Sequence, residues 1–141
     1  MIEIYTDGGY CIPKEIGGWA MVVVVDDRVK YTKSDTVKNS TSNRMEMTAF
    51  LTALQYTDEP VTIITDSNYV VQGYNNWSHN WKKKNWKKSD GKEILNKDLW
   101  EAIDAARRDN VTVRWTKGHS KAGTREARYN ELVDSLTRNY I

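Results

Sequence analysis

The chain has one cysteine, two histidines and no long apolar run in 141 residues. Cys11 has no partner for an internal disulfide, so the fold must rest on a packed core, and a reducing, cytoplasmic setting is expected. The longest apolar stretch, Ala20-Met21-Val22-Val23-Val24-Val25, is far shorter than a bilayer requires and reads as a buried strand. No membrane partner is therefore expected. Met1 leads directly into Ile2-Glu3-Ile4-Tyr5 without a basic stretch followed by an apolar one, so no secretory leader is expected. Cys11, His79 and His119 are too few to close a zinc site. There is no internal repeat, low-complexity tract or linker, and the length points to a single domain over residues 1–141.

The chain is 39% hydrophobic, enough for one core, and its formal net charge is only +2. The charge is unevenly distributed. Lys82, Lys83, Lys84, Lys87 and Lys88 fall in one short stretch, flanked by Trp77, Trp81 and Trp86 out of six tryptophans in all. A basic, aromatic stretch on a nearly neutral protein points to a local surface for a polyanion. The plainer reading gives the tryptophans to a helix's core face and the lysines to its solvated face. For Trp86 packing and contact weigh equally; Trp100 and Trp115, on regular elements, are expected in the core.

Hydrophobic patterning predicts strands over Ile2–Thr6, Gly17–Val25 and Val29–Asp35, the last two joined by a tight turn at Asp26-Asp27. Short connections make these an antiparallel meander. A helix follows over Asn43–Tyr56, then a short buried strand over Val61–Thr65. Ser67–Tyr74 reads as a helix stopping near Gly73, and Trp77–Lys88 as a short helix with a basic loop. Asn96 reads as the N-cap of a helix running to about Asp109, with Leu99, Trp100, Ile103 and Ala106 on one face. Val111–Thr116 is a fifth strand and Arg125–Asn139 a closing helix. The order β-β-β-α-β-α-α-α-β-α is that of an α/β layer with a mixed sheet. Right-handed crossover places the fourth strand parallel to the first and beside it, with their carboxyl ends together, where ligands bind in such sheets.

Both of those strands end on an aspartate: Tyr5-Thr6-Asp7-Gly8-Gly9 closes one and Ile64-Thr65-Asp66-Ser67 the other. Glu46 lies one turn into the first long helix, and Asp134 lies on the last helix. Clustered carboxylates raise one another's pKa unless a cation neutralises them, and hard oxygen ligands select Mg²⁺ or Mn²⁺. Two such ions roughly 4 Å apart activate water and stabilise the leaving oxygen of a phosphodiester. Each acid also has an ordinary explanation. Asp7 suits a turn, Asp66 a helix cap, Glu46 a variant capping box begun by Asn43, and Asp134 a solvated face.

The local contexts of the four acids resemble those of the type 1 ribonucleases H, nearly end to end. They are Tyr5-Thr6-Asp7-Gly8, Asn43-Arg44-Met45-Glu46, Thr65-Asp66-Ser67-Asn68-Tyr69-Val70 and Asn130-Glu131-Leu132-Val133-Asp134-Ser135-Leu136. The resemblance implies a ribonuclease H-like fold with a five-stranded mixed sheet in the order 3-2-1-4-5. It implies hydrolysis of the RNA strand of an RNA–DNA hybrid, with two Mg²⁺ ions held by Asp7, Glu46, Asp66 and Asp134. It further implies proton transfer or product release by His119, a DNA-phosphate pocket at Thr41 and Asn96, and groove contacts from Asn43 and Asn68. Gln72 and Glu46 match positions that touch ribose hydroxyls, and Trp77, Trp81 and the five lysines match a basic protrusion that contacts the DNA strand. The 2′-hydroxyl is the feature that separates RNA from DNA at such contacts.

Residues 8–18 depart from the family in lacking its serine after Asp-Gly and its Asn-Pro-Gly run, and the stretch from His119 to Asn130 is longer than in many relatives. Two other readings share much of this pattern: a metal-dependent DNA nuclease of the integrase type, and a hybrid-binding module without catalysis. Intact carboxylates at all four positions weigh against the second. No spare apolar helix face stands out, so a monomer is expected.

Overall fold

The computed structural model describes residues 1–117 and 124–138. Its strands are β1 (Ile2–Cys11), β2 (Ile16–Val25), β3 (Arg28–Lys38), β4 (Val61–Thr65) and β5 (Val111–Trp115). Its α-helices are α1 (Ser42–Tyr56), α2 (Asn68–Gln72), α3 (Ser78–Lys83), α4 (Lys97–Ala105) and α5 (Arg125–Arg138). The strands form one sheet in the order β3-β2-β1-β4-β5. β1 runs antiparallel to β2 and parallel to β4, as the crossover rule requires.

Successive side chains on a strand face opposite sides, and the two sides of this sheet have separate cores. Ile4, Met21, Val23 and Ile63 pack with Phe50, Leu54, Trp100 and Ile103 from α1 and α4. Tyr5, Val22, Val24 and Ile64 pack with Tyr129 and Val133 of α5 on the other side. Polar contacts also dock α5: the Tyr129 hydroxyl donates to the Asp27 carbonyl at 2.8 Å, and Arg125 pairs with both Asp27 and the buried Glu3. Asp26 and Asp27, the expected tight turn, both take left-handed φ values, 51° and 63°. Asp tolerates this conformation better than most residues.

Several boundaries differ from expectation: β3 runs on to Lys38 rather than Asp35, α4 stops at Ala105 rather than near Asp109, and two further differences involve glycine. β1 does not stop at Thr6 but continues beside β2 to Cys11, so Asp7 is a paired strand residue facing Ala20 rather than a turn. Gly8 is instead a point of close approach: a Cβ there would lie 2.4 Å from the backbone nitrogen of Glu46. Gly73 likewise ends no helix. Its φ is −61°, and the chain runs on through a π-helical turn, Gly73–Trp77, directly into α3. A Cβ at Gly73 would sit 2.0 Å from the Trp100 ring. The missing side chain makes room for the largest fully buried residue of the core.

Candidate active site at the carboxyl edge of the sheet

The site forms where the sheet opens. Pairing of β1 with β4 ends at Thr6 and Thr65, while β1 stays bound to β2. Asp7 and Asp66 therefore stand at one level, each just past the last β1–β4 pair, the neighbourhood expected from topology. α1 crosses directly over Gly8 and delivers Glu46 to the same point. The ligand oxygens of Asp7, Glu46 and Asp66 all lie within 4.8 Å of one another.

The ordinary explanations for Asp7, Glu46 and Asp66 do not hold. Thr41, not Asn43, caps α1, its Oγ1 accepting from the Arg44 N–H at 3.1 Å, and Glu46 is 8% exposed. Ser67, not Asp66, caps α2 by accepting from the Val70 N–H at 3.2 Å. Asp134 is intermediate. It pairs with Arg138 at 2.9 Å and its side chain is 37% exposed, yet it lies close enough to Asp7 to share a hydrogen bond. It stands beside the three-acid cluster rather than within it.

The electrostatics favour a bound cation. Burial, and after it the charge of Asp66, pushes the Asp7 carboxyl up to about 7. Burial, followed by Asp7 and Asp66, holds Glu46 well above the ordinary carboxylate range. Glu46 Oε1 is buried with no hydrogen-bond donor among the described residues. An orphaned buried oxygen among converging carboxylates fits a hard divalent cation, which supplies the missing positive charge.

The other expected site residues spread outward from this point. Asn43 and Asn68 are exposed and Gln72 is half-buried. Asn96 occupies the N-cap position of α4, as expected, but its backbone is left-handed, φ 63°, and its side chain makes no capping bond. Its Oδ1 accepts from Arg44 at 3.2 Å, and its amide donates to the Tyr69 hydroxyl at 3.2 Å. Tyr69 also accepts from the Trp100 indole at 3.1 Å, and Arg44 makes a two-point pair with Asp98 at 2.7 and 2.9 Å. Arg44 and Tyr69 thus fix Asn96, a role with no local signal; only their place inside two of the motifs hinted at it.

Trp77 is 40% exposed and begins an aromatic ladder through Trp81 to buried Trp100, with ring centroids 5.8 and 5.4 Å apart. Trp77, Trp81, Lys84, Lys87 and Lys88 line a hollow of about 270 Å³. Lys83, Lys84, Lys87 and Lys88 are exposed; Lys82 is paired with Asp104 at 3.0 Å. Trp86 is partly buried and packs against the core, as its packing reading expects. Trp115 overturns its expectation: it is 49% exposed, and its indole donates to the Asp66 carbonyl at 3.2 Å. It shares a strand face with Val111 and Val113, which are partly buried against the core, but it ends the strand at the open edge. His119 lies outside the described residues.

Comparison with known proteins agrees with this geometry. A family model described as RNase H matches residues 1–141. A ribonuclease HI of Vibrio parahaemolyticus is 46% identical over 97% of this chain and 87% of its own length. The solved structure of LC9-RNase H1, described as a type 1 RNase H with the type 2 active-site motif, is 27% identical. It aligns with a TM-score of 0.78 over 98% of this chain and 70% of that one. The solution structure of the PFV RNase H domain, 23% identical, shares the fold with a TM-score of 0.85 over 98% of this chain and 92% of that domain.

Proposed function

This chain belongs to the RNase H family, and from that premise we propose that it is an endonuclease hydrolysing the RNA strand of RNA–DNA hybrids. The observation that carries the proposal is the convergence of Asp7, Glu46 and Asp66 from β1, α1 and β4 around an orphaned carboxylate oxygen. Asp7, Glu46 and Asp66, with Asp134 from α5, would hold two Mg²⁺ ions, and Mn²⁺ has the same preference for oxygen ligands. Glu46 would also contact the ribose beside the cut. When bound, the ions supply Lewis-acid chemistry, making water nucleophilic near neutral pH and neutralising charge on the phosphate. The water oxygen bonds to phosphorus as the bond to O3′ breaks, leaving a 3′-hydroxyl and a 5′-phosphate. His119 assists proton transfer or product release.

Substrate choice belongs to the surrounding surface. Asn43, Asn68 and Gln72 face the minor groove, where ribose hydroxyls distinguish the strands. Thr41 and the fixed Asn96 hold a phosphate of the DNA strand. Trp77, Trp81 and the lysines, with Lys82 the least available, hold the DNA backbone through salt-sensitive contacts. The protein acts as a monomer. No helix among the described residues is long and apolar enough to cross a membrane.

The deciding experiment compares cleavage of an RNA–DNA hybrid, duplex DNA and duplex RNA, each with Mg²⁺ and with chelator. Metal-dependent cutting of the RNA strand of the hybrid is expected. Preferential cutting of duplex DNA, or no cutting of the hybrid, overturns the proposal.

A further inference from the structure

We infer that Trp115 is a positioning residue for the metal site: its indole N–H holds the main chain of Asp66 and keeps that carboxylate aimed into the cluster. The inference rests on reading Asp7, Glu46 and Asp66 as metal ligands. Asp66 sits at the point where sheet pairing ends. The last backbone bond across the β4–β5 edge runs from the Thr116 N–H to the Thr65 carbonyl, at 2.9 Å. The next carbonyl, that of Asp66, lies one residue beyond the ladder, and the Trp115 indole reaches it at 3.2 Å.

The residues on either side are held by local bonds. Thr65 Oγ1 accepts from the Ser67 N–H at 3.0 Å, and Ser67 Oγ accepts from the Val70 N–H at 3.2 Å. Trp115 adds a restraint from another strand. Its exposure separates this role from core packing. A tryptophan with 49% of its surface in water buries less than its size allows, so the distinctive contribution of the residue here is the N–H. The restraint matters because the three acids repel one another without a cation. A main chain free to rotate at Asp66 would let its carboxylate swing away from Asp7 and Glu46, and metal binding would then have to bring it back. The indole bond keeps the ligand set assembled beforehand.

The test is Trp115→Phe in the full chain, which keeps an aromatic ring and removes the donor. Calorimetric titration with Mg²⁺ alone is expected to show binding weakened about fivefold, the usual effect of losing one neutral hydrogen bond. The thermal midpoint in chelator and the KM for hybrid at saturating Mg²⁺ are expected to stay at wild-type values. Equal Mg²⁺ affinity in W115F and wild type overturns the positioning role. Absence of Mg²⁺ binding by the wild type, or binding undiminished in Asp66→Asn, overturns the ligand reading on which it rests. If W115F does not fold, the wild type is read directly by NMR. Exchange of the Trp115 indole hydrogen is expected to slow when Mg²⁺ is added, and exchange unchanged by Mg²⁺ overturns the inference.

Discussion

Asp7, Glu46 and Asp66 place three acidic groups within 4.8 Å of one another, two of them buried at the open edge of the sheet. Lys83, Lys84, Lys87 and Lys88 crowd positive charge onto an exposed turn beside the aromatic ladder. Both are clusters of like charge, but they have different consequences. In water two charges 4 Å apart repel by about 1 kcal/mol, while in a partly buried setting the figure is about 4 kcal/mol. The lysines face water, so their crowding comes at little expense to the fold. Burial and mutual repulsion push the Asp7 and Glu46 carboxyls upward, towards their protonated forms. On the proposed function, one region would attract the substrate backbone in a salt-sensitive way and the other would take up a cation.

The largest test of this contrast removes a single acid. Asp66→Asn or Asp7→Asn is expected to lower kcat by at least about a thousandfold while hybrid binding persists, by gel shift in Mg²⁺. The same Asp7→Asn variant should be more stable than wild type in chelator at pH 8, by on the order of 2 kcal/mol, because a repelling group is gone. Loss of hybrid binding together with activity would erase the division between the two regions.

Next in size is a steric test of how the acids are brought together. Gly8→Ala places a methyl against the backbone of Met45 and Glu46, so α1 must move away from β1. A loss of about 1–3 kcal/mol in denaturant unfolding is expected, together with weaker Mg²⁺ binding. Gly73→Ala meets Trp100 instead and should lower stability by a similar amount with Mg²⁺ affinity unchanged.

The pH dependence separates the regions further. Asp7 has a folded value near 7 against an ordinary value of 3.8, so the folded state binds more protons than the unfolded state between those limits. Its contribution therefore makes the metal-free protein lose stability as pH rises from about 4 to about 7, the opposite of a salt-bridged aspartate. Thermal unfolding in chelator should show this decline, and saturating Mg²⁺ should remove most of it. A flat profile in chelator would mean that the cluster carries no such strain.

The smallest effects belong to the basic turn. Replacing Lys84, Lys87 and Lys88 together with Ala should raise KM by roughly tenfold at low salt, flatten the dependence on salt and leave kcat unchanged. Lys82→Ala alone should do less, because that ammonium is already engaged by Asp104. A kcat effect from the triple variant would show that the turn does more than hold the substrate.

Much of this was legible from the residues alone. Strand alternation, helix periodicity and the crossover rule led to the strands and to the meeting of Asp7 with Asp66, because each is a local or chirality-governed property, while the full sheet order followed from the family resemblance. The motif around Glu46 marked it although its surroundings also suited a cap. Trp115 was misread because strand alternation reports which face a residue occupies and not whether anything covers it. Gly73 was misread because a helix stop and a packing gap place the same residue in the chain.

The sequence by itself thus determined the order of elements, the paired carboxylates and the separation of acidic from basic regions, all of which follow from short-range pattern. Tertiary structure alone decided three things. It gave Gly8 and Gly73 their work as points of close approach, it fixed Asn96 between Arg44 and Tyr69, and it set the Trp115 indole on the Asp66 carbonyl. Each is a contact between segments distant in the chain, and local propensity carries no term for a neighbour that arrives only when the sheet and helices have packed.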